Sequence, residues 1–266
     1  MTGSMTFEIV IKIRKQKIIF FLTSSKIQGQ TWNLEPETLN FFKMAKYTRI
    51  QVALTMQETG MVPVFYNPDL TICKNVLKAC YDGGVRVFEF TNRGDFAHEI
   101  FAELNKYAIK ELPGMILGIG SVVDAGTTSL YIQLGTNFVV SPVLKEDMAK
   151  VCNRRKIFWS PGCGSLNDIN YAEELGAEVV KIFPAEQVGG PKFVENIKGP
   201  CPWTSVMPTG GVEPTEENLS KWFKAGVICV GMGSQLFTKD LISNGKWDEL
   251  TLKVQETMEI IRKLKS

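Results

Sequence analysis

The chain has 266 residues, of which 44% are hydrophobic and 22% charged, with a formal charge of +2. That composition is globular and the length buries a sizeable core, which excludes disorder throughout. The charge is too near zero to supply a basic field, so no nucleic-acid partner is expected. A His-based metal site, a Ser–His–Asp triad or a histidine pair would each hang on the single histidine, His98. Neither a metal nor any other cofactor is expected. The six cysteines (Cys73, Cys80, Cys152, Cys163, Cys201 and Cys229) show no C-x-x-C pair and read as buried thiols of a reducing compartment. No run of 18 apolar residues occurs, so no membrane span is expected.

Residues 1–43 differ from the rest. They carry six Lys/Arg against three Glu, a charge of +3, which leaves about −1 for the remainder. The stretch FEIVIKIRKQKIIFFLT at 7–23 is basic and β-branched, and the polar run SSKIQGQ follows. A signal peptide fits poorly: the apolar run Ile18–Leu22 is shorter than an h-region and no A-x-A site follows. The reading is an N-terminal extension outside the fold, with the domain opening at Met44 and running over 44–266. Residues 46–59 then form a helix under the domain, with Ile50, Val52, Ala53, Leu54 and Met56 mostly on its apolar side.

From residue 61 onward short β-branched runs alternate with helical stretches. The runs are MVPVFY (61–66), VRVFEFT (85–91), MILGIGS (115–121), NFVVSP (137–142), KIFWSPG (156–162), EVVKIFP (178–184), SVMPTGG (205–211) and VICVGMG (227–233). Asp69–Cys80, Ala97–Lys110, Leu166–Leu175 and Glu216–Ala225 carry apolar residues at helical spacing. Gly83–Gly84, Gly135, Gly176 and Gly226 stop helices just before the next strand. Eight consecutive βα units predict an α/β fold, a closed (β/α)8 TIM barrel. An open doubly wound sheet would call for G-x-G-x-x-G after an early strand, and GIGSVV at 118–123 lacks the third glycine.

Side chains alternate along a strand. In VRVFEFTNR, Val85, Val87, Glu89, Thr91 and Arg93 share one face, and Phe88 and Phe90 take the other, under the helices. Glu89 then points into the barrel, and Lys181 does so from EVVKIFP. Charges inside apolar strands are costly unless paired. One reading is a buried ion pair that only satisfies itself; the other is catalysis, because strand C-terminal ends carry function in this fold. A desolvated lysine has its pKa lowered and can attack a carbonyl as a free amine, while a neighbouring carboxylate moves protons. That pair points to class I aldolase chemistry or to Lys/Glu proton transfer. Thr209, Gly210 and Gly211 end the seventh strand, and Gly231, Gly233 and Ser234 end the eighth. Loops after these two strands are the usual phosphate site of the fold.

The runs FEFTNR, GIGSVVDAG, SPG, KIFPAE, MPTGGV and VGMGS, in this order over about residues 46–240, resemble the 2-keto-3-deoxy-6-phosphogluconate (KDPG/KHG) aldolase family. The resemblance implies a cytoplasmic homotrimeric barrel that takes a small phosphorylated keto acid and cleaves it to pyruvate and glyceraldehyde 3-phosphate, with 4-hydroxy-2-oxoglutarate as a further substrate. It makes Lys181 the Schiff-base lysine and Glu89 the general acid/base. It puts Thr91, Arg93, Ser121 and Thr209 around the pyruvyl carboxylate and imine, and Phe183 beside the lysine. Gly210, Gly211, Gly233 and Ser234 fall at the phosphate end. Asn92 stands where the family usually has Leu, and Ser121 where it usually has Thr. PGC at 161–163 and GMGS at 231–234 look more like the 2-keto-3-deoxy-6-phosphogalactonate branch, so that substrate stays open. A Lys/Glu phosphosugar epimerase and a non-catalytic phosphate-binding barrel are the remaining alternatives.

Overall fold

The structure, a computed structural model, describes residues 7–13, 16–22 and 45–266. The polar run at 24–30 and Met44 lie outside the described residues. The chain divides into two units, residues 1–43 and 44–266. In the first, strand β1 (Phe7–Ile13) pairs antiparallel with β2 (Gln16–Leu22), Phe7 opposite Leu22 and Ile13 opposite Gln16. The stretch read as an extension without a fold of its own therefore pairs its backbone, although a lone two-stranded hairpin is only marginally stable in water.

In the second unit all eight expected runs are strands. They are β3 (Met61–Phe65), β4 (Val87–Thr91), β5 (Ile116–Gly120), β6 (Phe138–Val140), a fifth in two pieces, β7 (Phe158–Ser160) and β8 (Gly162–Cys163), then β9 (Val180–Ile182), β10 (Val206–Pro208) and β11 (Val230–Met232). Helices alternate with them: α1 (Arg49–Thr59), α2 (Leu70–Asp82), α3 (Ala97–Glu111), α4 (Ala125–Gln133), α5 (Glu146–Arg155), α6 (Leu166–Glu174), α7 (Gly190–Lys198), α8 (Glu216–Lys224), α9 (Lys239–Ser243) and α10 (Trp247–Lys265). Gly135, Gly176 and Gly226 sit at φ 85, 88 and 95 after α4, α6 and α8, the left-handed stops that the sequence predicts.

The strands run parallel in the orders β11-β3-β4-β5-β6-β7 and β10-β9-β8. Pro161, which has no N–H to donate, separates β7 from β8, so one chain segment pairs with β6 through its first half and with β9 through its second. A parallel bridge between Thr209 and Gly231 joins β10 to β11. Followed once around through these registers, the ladder returns to β4 eight residues earlier, the shear of an eight-stranded (β/α)8 barrel.

Alternation sorts the core into two layers. Val62, Val87, Ile116, Phe138, Phe158 and Met207, from six strands, with Val179 and Cys229 immediately before β9 and β11, form an interior cluster. Phe88, Phe90, Leu117, Val139, Trp159 and Val180 belong to the layer between strands and helices. Val85 joins that outer layer rather than the interior face, because β4 begins only at Val87.

Helix α1 starts with a capping box between Thr48 and Gln51 and packs Val52 and Met56 into the interior cluster. Ile50 and Leu54, expected on the same apolar side, are 65% and 59% exposed. They stand two residues from Val52, about 200° around a helix that turns about 100° per residue, and so face away from the barrel. Arg49 ties α1 to the segment leading into β9. Its Nε lies 2.6 Å from Glu178 Oε1, and its other nitrogens donate to Glu178 Oε2, Asn153 Oδ1 and Gly176 O. With a partly exposed guanidinium, Arg49→Ala is expected to cost about 1–3 kcal/mol, a fall of roughly 3–10 °C in Tm for a domain of this size. Thermal unfolding followed by circular dichroism checks it.

Candidate active site

Alternation places a second set of inward-facing residues beyond the apolar interior cluster, toward the strand C-termini. Glu89 on β4 and Lys181 on β9 are both inward and buried, with 0% and 5% exposure. Their strands stand four apart in a ring of eight, on opposite sides. Two long side chains meeting across the barrel bring Lys181 Nζ to 3.8 Å from Glu89 Oε1. Neither carboxylate oxygen has a hydrogen-bond partner.

The electrostatics follow from burial. Desolvation raises the pKa of Glu89 above the ordinary carboxylate value, against the pull of Lys181 and then of Arg93. Desolvation likewise lowers Lys181, against Glu89, with Arg93 adding to the fall. Both shifts favour the neutral forms, a free amine beside a carboxylic acid. The Lys181 ammonium position lies 5.1 Å from the centroid of the Phe183 ring, immediately after β9.

Glycine opens the space these groups need. At Gly120, the end of β5, a Cβ would fall 1.7 Å from Glu89 Oε1. At Gly231, on β11, it would fall 2.2 Å from Thr209 Oγ1. A side chain at either position would displace a polar group of the site.

The other expected residues gather around this pair. Thr91 ends β4, is fully buried and donates from Oγ1 to Phe65 O at 3.5 Å. Arg93, exposed at the rim, donates from Nε to Ser121 Oγ at 3.2 Å. Ser121 follows β5 in a left-handed conformation, φ 58, that non-glycine residues adopt rarely. Thr209 is buried with an unpartnered Oγ1. Gly210 and Gly211 continue from β10 at φ 95 and 80, and Gly233 and Ser234 continue from β11. Among the described residues the N–H groups of Gly210, Gly211, Gly233 and Ser234 donate to no acceptor. Uncommitted amides on two adjoining loops suit an oxyanion.

Asn92 does not join the site. It faces the helices, where Tyr131 OH donates to its Oδ1 at 2.8 Å. His98 lies in α3, its ring 6.4 Å from that of Phe96, and takes no part. Among the described residues no three His, Cys, Asp or Glu side chains gather as a metal-ligating group, and no helix is long and apolar enough to cross a membrane. Ser160 was not singled out from the sequence, yet it is fully buried with an unpartnered Oγ. The alternation of KIFWSPG held the signal, since Ser160 shares the inward face with Phe158.

The chain is similar to known proteins over most of the barrel. The family model "KDPG and KHG aldolase" matches residues 52–253. The 2-dehydro-3-deoxy-phosphogluconate aldolase of Pseudoalteromonas atlantica is 32% identical over 210 residues, 78% of this chain and 94% of that protein. The structure of a KDPG aldolase from Legionella pneumophila, holding pyruvate as a covalent carbinolamine intermediate, superposes with a TM-score of 0.69 at 24% identity, over 76% of this chain and 96% of that one. The KDPG aldolase of Zymomonas mobilis with 3-phosphoglycerate gives a TM-score of 0.65 at 27% identity, over 77% and 94%. With a family model spanning most of the barrel and a relative this similar over nearly its whole length, the chain belongs to the KDPG and KHG aldolase family.

Proposed function

We propose that this chain is a class I aldolase that cleaves 2-keto-3-deoxy-6-phosphogluconate to pyruvate and glyceraldehyde 3-phosphate through an imine at Lys181. The observation that carries the reading is the buried Lys181–Glu89 pair, 3.8 Å apart with both carboxylate oxygens unpartnered. The lysine, held toward its free-amine form by desolvation, attacks the C2 keto carbon of the substrate. The iminium then accepts the electrons of the breaking C3–C4 bond. Glu89 takes the proton from the C4 hydroxyl and later returns one to C3. Its raised pKa suits a group that must both take and give a proton near neutrality.

The rest of the site divides between the two ends of the substrate. Arg93, with Ser121 Oγ against its Nε, supplies positive charge for the C1 carboxylate, and Thr91 and Thr209 offer buried hydroxyls nearby. The free amides at Gly210, Gly211, Gly233 and Ser234 receive the phosphate. Binding energy at that remote end orients the reacting carbonyl. Gluconate and galactonate substrates differ at one hydroxyl centre, and assay of both with purified enzyme separates them.

The reading extends to a cytoplasmic enzyme, which the free cysteines support: five of the six are buried, and burial pushes Cys73, Cys152, Cys163 and Cys229 up to about 12.

The test is borohydride reduction in the presence of pyruvate, followed by peptide mass spectrometry. A stable pyruvyl adduct on Lys181 is expected. Absence of both cleavage and adduct would favour the Lys/Glu phosphosugar epimerase, and an adduct on another lysine would move the role.

A further inference from the structure

Three buried polar groups at inward strand positions lack hydrogen-bond partners: the Glu89 carboxylate, which lies 3.8 Å from Lys181 Nζ, Thr209 Oγ1 and Ser160 Oγ. The first two belong to the site already described. Ser160 has no role in it. On β7, Phe158 packs in the interior cluster and Trp159 in the outer layer, so Ser160 turns inward. Two residues later Gly162 pairs in register with Lys181, and Lys181 N donates to Pro161 O. Gly162 has no side chain, so Ser160 is the inward polar group that this strand presents beside Lys181, on the side away from the mouth. A hydroxyl with 0% exposure and no partner in such a place calls for one.

A buried water suits the position. Such waters make two to four hydrogen bonds to otherwise unsatisfied groups. Ser160 Oγ, the Lys181 amine and a Glu89 oxygen supply that number. Imine chemistry at Lys181 releases one water on the way in and consumes one on the way out.

We propose that Ser160 is a positioning residue whose hydroxyl holds the water exchanged at the Lys181 imine. The proposal rests on the reading of Lys181 as the imine-forming lysine. In the forward direction the N–C2 bond forms as the C=O π bond breaks, and a proton passes from nitrogen to oxygen to give the carbinolamine. The Glu89 carboxyl then protonates that hydroxyl, the C–O bond breaks, and water leaves toward Ser160 as the nitrogen lone pair closes the iminium. In the reverse direction the water held by Ser160 adds to the iminium carbon and Glu89 recovers the proton. Ser160 neither gains nor loses a proton over the cycle.

A group that positions this water speeds both directions alike and leaves the equilibrium untouched. The experiment follows the approach of enzyme plus pyruvate to the imine by rapid mixing and borohydride quench, in wild type, Ser160→Ala, Ser160→Cys and Ser160→Thr. In Ser160→Ala the approach should slow about ten- to a hundredfold with the final trapped fraction unchanged. Ser160→Cys, close to serine in size and a poor hydrogen-bond partner, should follow it and carries the test if the alanine variant folds poorly. Ser160→Thr should restore most of the rate. An unchanged rate in both Ala and Cys variants overturns the proposal, and so does a plateau that falls together with the rate, the mark of a merely structural role. A wild-type enzyme that gives no adduct at Lys181 would instead sink the reading of that lysine.

Discussion

Lys181→Ala should abolish aldol cleavage, with a loss of about 10⁴-fold or more, because no other group stands where it can form the imine. The borohydride adduct with pyruvate should vanish at the same time. Lys181→Arg sharpens the point: it keeps a positive charge opposite Glu89 but offers no free amine at neutral pH, so it should be equally inactive. An arginine variant with appreciable activity would show that Lys181 acts through charge alone. The fold should survive both changes. Removing one member of a buried pair is costly when the other stays ionised. Desolvation already pushes the Glu89 pKa upward, so loss of the neighbouring charge leaves it free to take up a proton. Activity, adduct mass and the far-ultraviolet circular dichroism spectrum of the same preparations check all three statements. In wild type the free-amine form grows as pH rises through the lysine pKa, and burial lowers that pKa. The pyruvate-trapping rate should therefore rise with pH at values below those where an ordinary lysine titrates.

How much of this could be read from the chain itself differs between elements. The eight strands were legible because each is a short β-branched run bounded by glycine or polar residues, a signal that does not depend on neighbours. The inward direction of Glu89 and Lys181 was legible for the same reason, since alternation is local. Their meeting at 3.8 Å was not: it depends on strands opposite one another in a ring, and only closure of the barrel brings them together. The division of the fifth strand at Pro161 also depends on a partner, because the missing N–H matters only where a ladder would use it. On α1, reading apolar residues as one side put Ile50 and Leu54 inward, whereas the geometry of the turn buries Val52 and Met56 in the core, with Ala53 packed partly buried against it. Asn92 looked like a departure in the site, but it follows an inward residue and so points outward to Tyr131. Ser160 lies in a run read as a strand, but a serine carries no charge to set it apart among inward positions; only its burial without a partner marks it.

Glu89→Gln should lower kcat by about 10²–10⁴-fold, the usual weight of a positioned acid/base group. Glutamine matches glutamate in shape, so it fits beside Gly120, where the carboxylate already sits too close for any Cβ. It is also neutral, as the raised pKa makes the native carboxyl tend to be, so packing and stability should change little. What it cannot do is exchange a proton. Two measurements separate this role from a merely electrostatic one. In deuterated water the wild-type enzyme should exchange the methyl hydrogens of pyruvate, since the Glu89 carboxyl adds and removes protons at C3 of the enamine; the Gln variant should lose that exchange, while a borohydride adduct at Lys181 still accumulates, more slowly, because Glu89 also assists loss of water from the carbinolamine. The pH profile supplies the second. A base must be deprotonated to act, so the acid limb of the wild-type kcat profile rises with pH through the Glu89 pKa, displaced upward from that of an exposed carboxylate by desolvation. That limb should be absent in Glu89→Gln, leaving a low, flat rate across the same range. Retention of the limb together with methyl exchange would assign the proton transfers to a different group in the site.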